Sequence, residues 1–116
     1  MSFAQTKSCL DFHEGSFVIQ DSLSGNSYID REGLIQYEHN YESGLFLKFD
    51  VEWLDECTYT LELTEVLQNP NKIDILEDMV LKVEILARTD TSYTQRSTTD
   101  AFPDFELVSE VYIHEE

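Results

Sequence analysis

Residues 45–65, LFLKFDVEWLDECTYTLELTE, alternate apolar and polar side chains with almost no break. Leu45, Leu47, Phe49, Val51 and Trp53 point one way, and Phe46, Lys48, Asp50 and Glu52 the other. After Leu54-Asp55-Glu56 the pattern resumes, with Cys57, Tyr59, Leu61 and Leu63 set against Thr58, Thr60, Glu62 and Thr64. A period of two over this length calls for antiparallel strands with one buried face. Folding the segment about Asp55 predicts Trp53 opposite Cys57, Val51 opposite Tyr59, Phe49 opposite Leu61 and Leu47 opposite Leu63. On the outer face Glu52 meets Thr58, Asp50 meets Thr60 and Lys48 meets Glu62, so no like charges are opposed. Each such pair contributes roughly 0.2–1 kcal/mol. A slip of one residue would turn the whole apolar set to water, which fixes the buried face. Against this register stands a three-residue loop without the glycine that such loops favour.

The rest of the chain reads in the same way. Strands are predicted over 15–20, 27–32, 34–39, 79–86, 92–99 and 105–113. They are separated by turn chemistry at 21–26, near Gly33, at 40–44, at Gln68-Asn69-Pro70-Asn71-Lys72, at Asp90 and around Pro103. A short helical turn is expected over 73–78, and no long helix. About eight short strands at regular spacing predict an all-β fold, an antiparallel meander forming a small barrel or half-barrel. Residues 1–14 form an irregular N-terminal segment and 15–116 a single β domain. Inward residues are predicted to be Phe17, Ile19, Leu47, Phe49, Val51, Trp53, Tyr59, Leu61, Met79, Leu81, Val83, Ile85, Phe105, Leu107, Val111 and Ile113. Lys48, Asp50, Glu52, Thr60, Glu62, Lys82 and Glu84 should face water.

The charge balance narrows the partners. Seven Lys and Arg against 24 Asp and Glu give a formal charge of −17. Such a chain repels phosphate backbones and anionic membrane surfaces, so nucleic acid is excluded as a partner. No stretch is long and apolar enough to span a membrane.

The two cysteines, Cys9 and Cys57, have neither CxxC spacing nor a His/Cys cluster beside them. They read as one disulfide in an oxidising compartment or as two buried thiols in a reducing one. Ser2-Phe3-Ala4 ahead of Gln5 looks like the tail of a cleaved signal peptide, which favours the disulfide and a periplasmic or secreted protein. Closing a loop of this size contributes roughly 4 kcal/mol in the chain-entropy account.

Three blocks carry a family resemblance. They are Cys9-Leu10-Asp11-Phe12-His13-Glu14-Gly15-Ser16-Phe17, then Ile29-Asp30-Arg31 with Gln36-Tyr37-Glu38, then Val51-Glu52-Trp53 through Cys57-Thr58-Tyr59-Thr60-Leu61. They resemble a group of small exported bacterial proteins of unknown function that share a "C…F..G.F" start and a "V.W...C.Y.L" hairpin. The match covers about the first 65 residues. It implies export, a Cys9–Cys57 disulfide and a lipocalin-like β fold, and no activity. A topoisomerase name carried by some of these proteins does not suit a short acidic chain, because DNA cleavage needs a nucleophilic Tyr amid basic residues.

No catalytic motif stands out: there is no Gly-x-Ser-x-Gly, phosphate loop or His-Glu-x-x-His. The acidic pairs Asp30/Glu32, Asp55/Glu56 and Glu77/Asp78 lack the spacing of a calcium loop, so no metal or cofactor is expected. The Arg31–Gln36 region has the best claim to function, and a neighbouring Asp or Glu is the expected partner of Arg31. Pairing about Asp90 sets Leu81, Val83 and Ile85 against Thr99, Ser97 and Gln95, giving the barrel one polar and one apolar wall. Trp53, Tyr59, Tyr37 and Tyr93 are expected to line the mouth of a ligand pocket. The reading is a non-enzymatic, exported binding or interaction module for a small apolar ligand or another exported protein. The alternative is a hydrolase with an unrecognised acidic site.

Overall fold

A computed structural model describes residues 8–23, 25–75 and 80–114. A 3-10 helix, Cys9–Phe12, leads into strands β1 (Gly15–Ile19), β2 (Ser27–Glu32), β3 (Ile35–Asn40) and β4 (Leu45–Asp55). Then come β5 (Thr58–Gln68), β6 (Val80–Arg88), β7 (Ser92–Thr98) and β8 (Glu106–Ile113). Each strand pairs antiparallel with the next and β8 pairs with β1, so the sheet closes into a barrel. Closure removes the unpaired edges that an open meander would leave. The arrangement is consistent with a lipocalin-like barrel. The predicted helical turn over 73–78 lies partly outside the described residues, as do Met79 and the Glu77/Asp78 pair.

The predicted faces hold, but the central register is displaced. Trp53 faces Tyr59, Val51 faces Leu61 and Phe49 faces Leu63, two residues beyond the predicted partners. The connection is the two-residue turn Glu56-Cys57, with Asp55 opposite Thr58. The Asp55 carboxylate accepts the Cys57 N–H at 2.9 Å, which closes the turn without a glycine. A two-residue shift preserves the parity of every side chain, so the buried set is unchanged. It does bring Asp50 opposite Glu62, a like-charge pair at the solvent face. The register also shifts at Trp53/Asp55, Lys48/Phe49 and Phe46/Leu47. At the second of these, Thr64 Oγ1 donates to the Lys48 carbonyl at 3.1 Å. Such bulges bend and twist a long hairpin into the wall of a barrel.

The chain direction gives the barrel two unlike ends. At the lower end the 3-10 helix crosses the opening and buries Phe12 completely. The helix is started by Asp11, whose carboxylate accepts the Ser8 N–H at 2.8 Å. The Cys9–Cys57 disulfide, with Cα atoms 5.2 Å apart, ties it to the foot of the β4–β5 hairpin. His13 stacks on Trp53 at 3.4 Å between ring centres and its Nε2 lies 2.8 Å from the Glu56 carbonyl. At the upper end the loops are stitched to one another. Gly44, at φ 78°, lies so close to Pro70 that a Cβ would stand 2.6 Å from Pro70 Cγ.

Most of the predicted core is confirmed, including Phe17, Phe49, Val51, Tyr59, Leu61, Val83, Ile85 and Val111. Phe105 and Leu107 are exceptions: Leu107 lies on the inner face of β8 but is 52% exposed, and Phe105 just before the strand is 39% exposed. The reason is geometric. The strand pairing of β1 with β8 is confined to Phe17↔Ile113 and Val18↔Tyr112, leaving the upper half of β8 at an open rim.

Candidate functional site

The lower half of the lumen is filled. Arg31, 2% exposed, points inward from β2. Its Nε donates to Gln36 Oε1 at 2.9 Å, its Nη1 to the Phe12 carbonyl at 2.5 Å, and its Nη2 to the hydroxyls of Tyr59 and Tyr93 at 2.9 and 3.1 Å. The guanidinium also lies 4.7 Å from the Tyr59 ring centre and 5.1 Å from that of Phe17. Burial works against its charge, but the tyrosine hydroxyls and Glu38 outweigh it, so the group stays cationic. Burial pushes the Tyr59 hydroxyl well above its ordinary range. It therefore keeps its proton and donates to Gln95 Oε1 at 3.4 Å.

Arg31 thus has a different partner set from the one expected. Among the described residues no carboxylate hydrogen-bonds to it; the contacts are an amide, a carbonyl and two phenols. Gln36 lies between it and Glu38: the Gln36 oxygen accepts from Arg31, and its amide side chain favours the Glu38 carboxylate. Glu38 keeps part of its surface exposed, but its carboxyl is desolvated among the lumen walls. That burial raises its pKa, partly offset by Arg31 and the Gln36 hydrogen bond.

Above this floor the lumen is open. A cavity of about 250 Å³ has apolar walls from Ile19, Ile29, Leu61, Leu81 and Val83. Its polar groups are Gln36 and Glu38 on β3 facing Gln95, Ser97 and Ser109 on β7 and β8. A second cavity of about 500 Å³ adjoins it under the upper loops and shares Ser27 and Glu38 with it. The β6–β7 register of Val83↔Ser97 and Ile85↔Gln95 follows the pairing predicted about Asp90. It produces the expected contrast of an apolar and a polar wall.

Of the predicted mouth residues, Tyr59 reaches the described cavity lining, from below, and the others lie elsewhere. Tyr59, Tyr93 and Arg31 come together, with Trp53 packed on Tyr59 at 4.5 Å, but they form the closed floor. Tyr37 is not among them. It projects from the outer face of β3, 6.0 Å from the Phe46 ring. The parity of β3 dictates this, since Gln36 and Glu38 take the inner face. Glu38 joins the lumen without having been singled out as a site residue. The signal was the inverted alternation of β3, polar at 36, 38 and 40 and largely apolar at 35 and 37. Among the described residues, no three His, Cys, Asp or Glu converge as a metal-binding group.

Comparison with protein-family models, with curated proteins and with solved structures gives no match for this chain.

Proposed function

We propose that the chain is a non-enzymatic binding barrel that holds one small amphipathic molecule in the upper lumen. The observation that carries this reading is the division of the barrel: a floor packed solid around Arg31 and an apolar-walled cavity above it that opens at the Leu107 rim. Eight-stranded barrels are of a size either to fill with their own side chains or to hold one small ligand. Apolar walls with a few polar groups at one level suit a ligand that has an apolar body and one polar end.

The hydrolase reading is weaker. General acid–base hydrolysis needs two groups within hydrogen-bond reach of a common substrate atom. Glu38 is the described carboxyl of the cavity whose pKa is raised; the other carboxylate of the lining, Asp21, belongs to the rim loop, and across the lumen from Glu38 stand an amide and two hydroxyls. We place the protein in an oxidising, exported compartment, where a disulfide such as Cys9–Cys57 persists. The resemblance to small exported proteins points the same way. No helix of the described residues is long and apolar enough to cross a membrane. The barrel exterior carries Asp50, Glu52, Glu62 and Lys82, where a membrane barrel presents an apolar band.

A thermal melt tests the proposal. 1-Hexanol in excess should raise the midpoint, since a ligand at a hundred times its Kd stabilises by about 2.7 kcal/mol. Ser97→Leu, which fills the cavity from the β7 wall, should fold and lose the rise. No shift in the wild-type protein, or an equal shift in both, would rule the lumen out as the site.

A further inference from the structure

We propose that the ligand is a small organic cation, an ammonium carried on an apolar body, bound with its charge against Glu38 in the upper lumen. This rests on the lumen reading above and specifies its chemistry.

Three observations converge on it. Glu38 belongs to the linings of both cavities, so a molecule in either meets its carboxylate. The other charged residues described in those linings are Asp21 and Glu42, and neither lining includes a Lys or Arg. The cation coupled to Glu38, Arg31, already donates to Gln36, Phe12, Tyr59 and Tyr93, so it offers an anion little to bind, and Lys72 of the rim loop is not in either described lining. An anionic headgroup would sit beside Glu38 with no counter-charge in reach.

The opposite wall supplies acceptors of the right kind. Ser97 is 5% exposed and lines the cavity from β7. A buried hydroxyl facing the cavity from β7 can accept an N–H that the carboxylate does not take. Desolvation disfavours the charged form of Glu38, and a cation alongside reverses that balance. The described loops at the open end carry Asp21, Glu42, Asp74, Asp100 and Asp104 against Lys72, a field that draws cations to the rim.

The test is calorimetric titration of the full chain with hexylammonium, 1-hexanol and hexanoate, which share one alkyl body and differ in charge. Hexylammonium should bind at least about tenfold tighter than the alcohol, the difference between a charge-assisted and a neutral hydrogen bond, with hexanoate weakest. Glu38→Gln should abolish that advantage, so that amine and alcohol bind with similar affinity. If alcohol and amine bind equally, or hexanoate binds best, the cation assignment is wrong while lumen binding stands. If Glu38→Gln keeps the tenfold preference, another carboxylate is responsible and the proposal fails. If none of the three binds, the lumen reading fails, and this one with it. The comparison among the three compounds on the wild-type protein decides the matter even if the variant does not fold.

Discussion

Glu38 and Glu110 show how one residue type acquires opposite roles within one barrel. Glu110 accepts the hydroxyls of Ser92 and Thr94, each at 2.7 Å, and these hold its pKa below the usual carboxylate value. Glu38 lies in a desolvated lumen and its pKa is raised. The linkage signs follow. A lowered carboxyl binds its proton less tightly when folded, so its stabilisation is present above the unfolded pKa and lost as pH falls through the folded one. A raised carboxyl binds its proton more tightly when folded, so stability is lost as pH rises from the ordinary carboxylate value through the folded one. Urea melts across pH should therefore find Glu110→Gln less stable than wild type at neutrality and Glu38→Gln at least as stable. Both differences should shrink in acid. A Glu38→Gln variant weaker than wild type at neutrality, with the gap closing in acid, would instead make Glu38 chiefly the counter-charge of Arg31. A side chain that costs stability in the empty barrel is what a ligand-binding position looks like, since sites are commonly traded against stability.

The strands were the most legible level of the sequence, and for a definite reason. A half-buried strand repeats every two residues, so residues 45–65, 79–86 and 105–113 announce themselves locally. The pairing about Asp90 was legible too, but that of β4 with β5 was not, because it depends on where single residues bulge out. The displacements at Leu54 and Thr64 leave the alternation readable on either side but change which residue meets which. The turn Glu56-Cys57 escaped notice because its stabiliser is the Asp55 side chain rather than a glycine. The 3-10 helix was hidden for a similar reason: four residues carry no periodicity, and the burial of Phe12 comes from the disulfide and the floor it covers. The faces themselves are testable. Phe49 is 8% exposed, and Phe49→Ala should cost about 3–5 kcal/mol through lost transfer energy and a cavity. Asp50, directed outward against Glu62, should change stability by within about 0.5 kcal/mol on replacement by Ala. Denaturant midpoints of the two variants compare these directly, and a reversed order would invert the inside and outside of β4.

The whole molecule is a barrel divided across its axis. Below, Arg31 gathers an amide, a carbonyl and two phenols from β3, β5, β7 and the N-terminal segment, cross-bracing strands that are distant in sequence. The disulfide, spanning 48 residues, closes the same end and contributes roughly 4 kcal/mol in the chain-entropy account. Above, the short β1–β8 seam leaves the rim open and Leu107 exposed. This division was only half legible. The aromatic residues and Arg31 were recognised as a group, but their position at the floor depends on the helix that caps it, a contact made by residues far apart in the chain. The direct measurement is an amide correlation spectrum titrated with 1-hexanol. Shifts should concentrate at Leu81, Ser97 and Leu107 while the amides of Arg31, Tyr93 and Trp53 stay in place. Shifts spread over the floor residues or confined to the outer face would contradict a barrel plugged at one end and receptive at the other.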